Sequence, residues 1–180
     1  MVHELASTRS HWHELNASIL ALATRALDPS ERFPALVTMP GLVRPIWLVL
    51  SAVIVLVTAW EFRHRRDVDA EWAAVILAAL LLSPLGWSYY GSVAAGPLAA
   101  TWRQRRGTLL ARAGLWAAWI PWVILAEKLP NGWLSLTLGS AYTWSALFLW
   151  RFCVAAAQTP AAEPTSVPAR NLVGAHPVPM

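Results

Sequence analysis

Long apolar stretches separated by short basic clusters make up most of the chain. The clusters lie at 63–66 and 103–106, beside stretches that are long enough to form membrane-spanning helices. Because arginines next to a span mark its cytoplasmic end, both clusters are expected on the inner side of a membrane. The pattern therefore predicts an all-α protein, a multi-pass transmembrane helical bundle.

The stretch between the two clusters does not fit a single span. The 32 residues from Glu71 to Trp102 would form a helix of about 48 Å, against a hydrocarbon core of about 30 Å. A single span would also place the two clusters on opposite sides of the membrane. We therefore predict a hairpin with arms at about 71–83 and 91–102 and an apex at about 83–90. Folding the stretch in two limits each arm to about 15 residues, or roughly 22 Å.

Three further spans are predicted, at about 42–60, 109–126 and 132–150, so that the hairpin brings the total to about five passes. The N-terminus is then outside the cell and the C-terminus is cytoplasmic. By domain, residues 1–41 form an extracytoplasmic amphipathic segment and residues 42–151 the transmembrane helical region. The proline-rich residues 152–180 are predicted to be a disordered cytoplasmic tail.

The N-terminal segment contains a predicted amphipathic helix. Leu22 and other apolar residues recur at helical spacing, and Ser18 and Arg25 fall together on the opposite face. Asp28 precedes a proline and is predicted to end the helix, since the residue before proline avoids the α conformation. Such a helix lies flat on a membrane or docks over a helical bundle.

Composition agrees with a membrane protein and excludes several other classes. The 180 residues are 57% hydrophobic and 13% charged, with a mean hydropathy of +0.45. The net charge of +4 comes from arginines beside apolar spans, so the expected partner is membrane lipid and not nucleic acid. The excess of arginine over lysine is typical of a GC-rich bacterial genome and favours a bacterial plasma membrane. The single cysteine, Cys153, excludes an internal disulfide, and no metal site or cofactor is expected.

The apex of the hairpin is the first candidate site. Ser83, Trp87, Tyr89 and Tyr90 combine hydroxyls with aromatic faces, which suits a sugar or a phosphate-linked sugar. The alternative is a helix-breaking turn at Pro84 that interfacial aromatic residues anchor.

The N-terminal segment carries the second candidate site. Asn16, Ser18 and Arg25 would face a phosphate or a sugar at the outer membrane surface, and the alternative is a solvated helix face. His11 and His13 lie just before them, but no third ligand follows, so the pair does not predict a metal site. No span carries a carboxylate in its middle, which argues against a proton-coupled transporter.

These two segments together resemble the polyprenol-phosphate-mannose-dependent mannosyltransferases, glycosyltransferase family 87. The run of leucines followed by Ser83, Pro84 and Trp87 is similar to the family's late hairpin, although Tyr89 and Tyr90 stand where that family often has histidines. Leu-Asn-Ala-Ser at 15–18, followed by Arg25 and an apolar span, looks like the family's Asn-x-Ser loop and helix. The two matches come in the family's order and cover about residues 12–150.

The resemblance implies a fold of the GT-C type and a specific chemistry. A polyprenyl phosphate that carries mannose or another hexose is the implied donor, and an extracytoplasmic acceptor hydroxyl attacks its anomeric carbon with inversion. Arg25 would contact the leaving phosphate with Asn16 and Ser18 positioning it, while residues of the apex shape the sugar pocket. The catalytic base of the family lies in a first extracytoplasmic loop that has no counterpart here, so no catalytic residue is assigned.

The chain would then be the C-terminal half of such an enzyme, inactive alone, with a separate N-terminal half as a partner if the gene is split. A truncated gene or a start codon placed too late are the other origins that the resemblance implies. The competing interpretation is a non-catalytic membrane protein, either an assembly partner or a relic of a truncated gene. A small transporter or lipid-binding module is a third.

Overall fold

The computed structural model describes residues 16–30, 34–63, 67–86, 92–93, 95–105, 109, 112–114 and 131–157. Regular secondary structure in these ranges is helical throughout, which confirms the predicted all-α class. The helices are α1 (Ile19–Leu27), α2 (Val43–Phe62), α3 (Val68–Leu82), α4 (Ala95–Arg105), α5 (Gly132–Thr137) and α6 (Ala141–Ala156). Short 3-10 turns at Pro40–Leu42 and Leu138–Ser140 precede α2 and α6.

Side chains at three helix N-termini accept a hydrogen bond from the backbone of the first turn. Ser18 Oγ accepts from the Ala21 amide at 3.0 Å, and Asn131 Oδ1 accepts from the Leu134 amide at 2.9 Å. Asp67 caps α3 in the same way. Each cap satisfies an amide that has no partner inside its own helix, which fixes where the helix begins.

The hairpin region is broken at the predicted place. Helix α3 ends at Leu82, and Ser83 has the extended backbone angles φ −62° and ψ 130°. Pro84 follows directly, and the residue before a proline is disfavoured in the α conformation. The return helix α4 packs against α3, so the chain from Val68 to Arg105 does not form one continuous helix.

The helices define two ends of the bundle. At one end, Phe62 of α2 and Ala70 of α3 pack against Ala156 at the end of α6. We call this the basic end, because α2 ends there directly before Arg63. The indole ring of Trp102 lies 5.6 Å from the ring of Phe152 (centroid to centroid), which brings the end of α4 to the same place. Helix α3 therefore runs antiparallel to both α4 and α6. The other end, which we call the polar end, holds the end of α3 and the beginning of α6.

Helix α3 lies at the centre of the described residues. Its buried positions recur every three to four residues and form one stripe, with Ala73, Ala74, Leu77 and Leu81 at its middle. Cys153 and other residues of α6 pack against this stripe in the same core cluster. The small alanines allow the two helices to approach closely, which is typical of helix contacts in membranes.

Helix α2 packs on the core by one face only and exposes large apolar side chains on the other. Leu56 is 67% exposed and Trp60 69% exposed, and Leu48, Val49 and Val53 are exposed as well. The 23 residues Pro40–Phe62 are long and apolar enough to cross a membrane. Among the described residues, this is one helix that meets both requirements. The sequence pattern predicts about five membrane passes.

The shortfall in passes has a geometric reason. Helix α3 has 15 residues, or about 22 Å, as predicted for an arm of the hairpin, and α6 has 16 residues, or about 24 Å; both are shorter than a full span. The last predicted span, at about 132–150, is not one helix, because the 3-10 turn at Leu138–Ser140 divides it into α5 and α6. Most of the span predicted at 109–126 lies outside the described residues.

The boundary predicted between the membrane region and the tail falls inside a helix. Helix α6 continues past Arg151 to Ala156, and Phe152, Cys153 and Val154 are buried in the core. These apolar side chains continue the face that packs on α3, which is why the helix extends beyond the arginine. The remainder of the predicted tail lies outside the described residues.

Candidate functional site

Two segments that are distant in sequence meet at the polar end. The carboxamide nitrogen of Asn16 donates a hydrogen bond to the carbonyl oxygen of Pro84 at 3.1 Å. The amide of Ala17 donates to the carbonyl oxygen of Gly86 at 2.6 Å. The segment that precedes α1 is therefore attached to the turn that ends α3, and these are the two segments predicted from the sequence as candidate sites.

Asn16 uses both ends of its side chain in this junction. Its Oδ1 accepts from the amide of Ser18 at 3.0 Å, while its Nδ2 donates to Pro84. The first bond closes a local turn, in which Ser18 then caps α1. A carboxylate at position 16 would have no donor for Pro84, so the amide is specifically required.

Gly86 permits the close approach of the two segments. A Cβ added at this residue would overlap the carbonyl oxygen of Leu80 and would lie 3.2 Å from the Cβ of Ser18. Because the first neighbour is backbone in the last turns of α3, no side-chain rotation relieves the overlap. The position therefore needs glycine for space.

Arg25 lies at the centre of a buried polar network. Its Nε donates to Ser140 Oγ at 2.8 Å, and its Nη2 donates to the carbonyl oxygen of Asn16 and to Thr143 Oγ1, both at 3.2 Å. Its side chain is fully buried, at 0% exposure. The guanidinium thus connects α1 and the segment before it to the beginning of α6.

The polar face of α1 is buried and not solvated. Asn16 and Ser18 are at 0% exposure like Arg25, and Thr24 is at 4%. The interpretation of this face as solvated is therefore wrong. Helix α1 docks over the bundle, which is one of the two placements expected for an amphipathic helix, and its apolar side packs on α2 through Leu20 and Val43.

The other predicted site residues lie at the apex. Ser83 is half-buried, and its Oγ accepts from the amide of Leu85 at 3.3 Å, which helps to close the turn. Trp87, Tyr89 and Tyr90 lie outside the described residues, as do His11 and His13. The structure thus brings Asn16, Ser18 and Arg25 to the end of the bundle that holds Ser83.

Sequence reasoning missed the hydroxyls that hold the guanidinium. Ser140 Oγ accepts from Arg25 and donates its own hydrogen to the carbonyl oxygen of Ser135 at 3.1 Å. Ser135, Ser140 and Thr143 are all at 0% exposure. The available signal was a group of four small hydroxyl residues within nine positions of an apolar stretch that also contains Gly139.

No family model, curated protein or solved structure matches the chain. Within the described residues, no three His, Cys, Asp or Glu side chains are grouped so that they could hold a metal ion. The site is therefore characterised by its hydroxyls, its amide groups and one buried positive charge.

Proposed function

We propose that the chain is the C-terminal part of an integral membrane glycosyltransferase. It transfers mannose or another hexose from a polyprenyl phosphate sugar to an extracytoplasmic acceptor, and it is inactive without a separate N-terminal half. The observation that carries the proposal is the junction at the polar end, where the Asn16–Ser18 segment is hydrogen-bonded to the turn at Pro84–Gly86.

The outer face of α2 supports the membrane part of this proposal. A soluble protein seldom exposes so many large apolar side chains along one helix, because each of them would remain in contact with water. In a bilayer the same face lies against lipid chains. Arg63, which stacks over Trp60 with its guanidinium carbon 5.7 Å from the ring centroid, then lies at the inner interface with the rest of the basic end.

The two ends of the bundle support the proposed topology. The ends of α2, α4 and α6 meet at the basic end, where the arginine clusters are expected to face the cytoplasm. In the proposed topology the polar end is extracytoplasmic, and the turn at Pro84 lies at or just below the outer surface because α3 is short. Non-helical backbone at that depth is tolerated where protein or water covers its polar groups, and Asn16 covers the carbonyl of Pro84.

In this proposal Arg25 acts on the donor through its charge. The phosphate of the donor gains negative charge as its bond to the anomeric carbon breaks, and a nearby fixed positive charge stabilises that charge. A guanidinium that is buried at 0% exposure is poorly screened by solvent, so its field reaches the surface of the polar end. The acceptor hydroxyl loses its proton to a carboxylate that the N-terminal half supplies.

A second candidate function is a non-catalytic membrane protein. The observation that favours it is that Asn16, Ser18 and Arg25 all hydrogen-bond within the chain and are fully buried. In that case the network only holds α1 on the bundle, and no phosphate needs to be recognised.

Lipid binding distinguishes the two candidates. The chain in nanodiscs is titrated with a polyprenyl phosphomannose and with the uncharged polyprenol of equal length, and quenching of its twelve tryptophans is followed. The glycosyltransferase proposal predicts at least tenfold tighter binding of the charged lipid, and it predicts that Arg25→Gln removes most of this preference. Equal affinities for the two lipids in the wild-type chain would favour the non-catalytic protein. Co-expression with the N-terminal half should then restore sugar transfer only under the first proposal.

Cysteine labelling tests the topology separately. Val68 and Leu85 flank α3 at opposite ends and are 62% and 48% exposed. In intact cells an impermeant maleimide should label a Leu85→Cys protein and leave a Val68→Cys protein unlabelled until the membrane is opened. Labelling of Val68→Cys from outside would reverse the proposed orientation.

A further inference from the structure

The buried charge of Arg25 is held by hydroxyls from a different part of the chain. Ser140 ends the 3-10 turn before α6, and Thr143 lies in the first turn of that helix. Their oxygens accept from Nε at 2.8 Å and from Nη2 at 3.2 Å. The break between α5 and α6 therefore aims two hydroxyls at one guanidinium.

The hydroxyl of Ser140 is oriented as an acceptor. Its hydrogen is donated to the carbonyl oxygen of Ser135, so that a lone pair remains for Arg25 Nε. Ser135 precedes Ser140 by five residues and lies in α5, so the 3-10 turn itself sets this geometry. All three residues are at 0% exposure, and water does not compete for these bonds.

A purely structural network would not need a charged residue at its centre. Burial of a guanidinium has a large desolvation penalty, and well-packed apolar side chains of similar volume often stabilise a protein as well or better. An ionisable residue retained inside a membrane protein is by default a candidate functional residue. Arg25 is therefore a candidate for a role beyond stability, and its hydrogen bonds hold the charge in one position.

We propose that Ser140 and Thr143 are positioning residues that hold the Arg25 guanidinium where its charge favours the phosphate of a lipid-linked donor. This inference rests on the proposed function, since it assumes that an anionic lipid head group binds at the polar end. Neither residue needs to touch the lipid. Their effect is on how strongly the site prefers a charged lipid over an uncharged one.

The ratio of the affinities for a charged and an uncharged lipid distinguishes a positioning role of Ser140 and Thr143 from a role in general stability. Affinities for a polyprenyl phosphate and for the uncharged polyprenol are measured in nanodiscs for Ser140→Ala, Thr143→Val and Thr143→Ser. We expect Ser140→Ala and Thr143→Val to bind the phosphate about tenfold more weakly, because the guanidinium loses one of its acceptors and is no longer held in one position before the lipid binds. Polyprenol binding should not change, and Thr143→Ser should keep the wild-type preference.

Ser145 provides a matched control in the same helix. It is 3% exposed, and its hydroxyl donates to the carbonyl oxygen of Gly114 at 2.6 Å, away from Arg25. Ser145→Ala also removes a buried hydroxyl from α6, yet it should leave the ratio of the two affinities unchanged. The inference is overturned if Thr143→Val keeps the wild-type ratio, or if Ser145→Ala lowers it equally. A wild-type chain that does not prefer the phosphate would instead refute the proposed function, and the positioning role with it.

Discussion

The substitution Gly86→Ala tests the junction at the polar end most directly. The added methyl group would overlap the carbonyl oxygen of Leu80, and it would come within 3.2 Å of the Ser18 side chain. The backbone angle φ of Gly86 lies outside the left-handed range, so the penalty is steric. The turn must therefore move away from α3 and from the segment before α1.

The size of the effect follows from the contacts that this movement disturbs. Overpacking of a close contact costs about 1–3 kcal/mol. The hydrogen bonds from Ala17 to Gly86 and from Asn16 to Pro84 contribute about 1 kcal/mol each, and both lengthen if the turn moves. We expect a loss of about 2–4 kcal/mol in the free energy of unfolding, which corresponds to a fall in Tm of roughly 5–15 °C.

Gly96→Ala is the matched control for this experiment. Gly96 is exposed in α4, and a Cβ added there would meet no atom within 4 Å. Alanine is preferred over glycine in a helix by about 1 kcal/mol or less, so this variant should melt at or slightly above the wild-type temperature.

Two measurements on the purified protein in detergent decide the outcome. Thermal unfolding is followed by tryptophan fluorescence, and hydrogen exchange is followed in the peptide that contains Ala17. Gly86→Ala should lower the Tm and speed exchange of the Ala17 amide, while Gly96→Ala should do neither. If Gly86→Ala melts with the wild type and keeps the slow exchange, the two segments are not joined as described.

Three further predictions concern packing and reactivity. Gly132→Ala should lower the Tm by several degrees, because the added methyl group would lie 2.6 Å from backbone atoms of the segment that precedes α2. Trp150→Phe should cost about 1 kcal/mol in thermal unfolding, since it removes the indole N–H that donates to Thr58 at 3.1 Å, whereas Trp133→Phe at an exposed position should have no effect. The Cys153 thiol is at 0% exposure, so maleimide at pH 8 should label it only after unfolding in detergent.

Local signals in the sequence predicted several features of the fold. Proline after Asp28 and proline after Ser83 both restrict the preceding residue, and α1 and α3 end where these prolines require. Helical periodicity predicted that α1 carries an apolar stripe, and part of that stripe packs on α2. These features depend on a few neighbouring residues, which is why they can be derived without knowledge of the rest of the chain.

The features that sequence reasoning missed depend on contacts between distant segments. The polarity of Ser18 and Arg25 indicates that they need hydrogen-bonding partners, but it does not show whether water or protein supplies them. The partners of Arg25 come from position 16 and from Ser140 and Thr143, more than 110 residues further along the chain. The break before α6 was missed for a related reason: it contains glycine and serine without proline, and its polar groups are satisfied by tertiary contacts.

Two features of the described structure would be unfavourable in a soluble domain. A guanidinium, an amide and four hydroxyls are fully buried at the polar end, whereas α2 exposes large apolar side chains such as Leu56 and Trp60. In water this arrangement would combine the desolvation of a charge with the exposure of an apolar face, and both are unfavourable. In a bilayer the exposed face is solvated by lipid, and polar groups must find partners inside the protein. The same physical argument therefore explains the outer face of α2 and the internal network around Arg25, and it fails if the purified chain is soluble and monomeric without detergent.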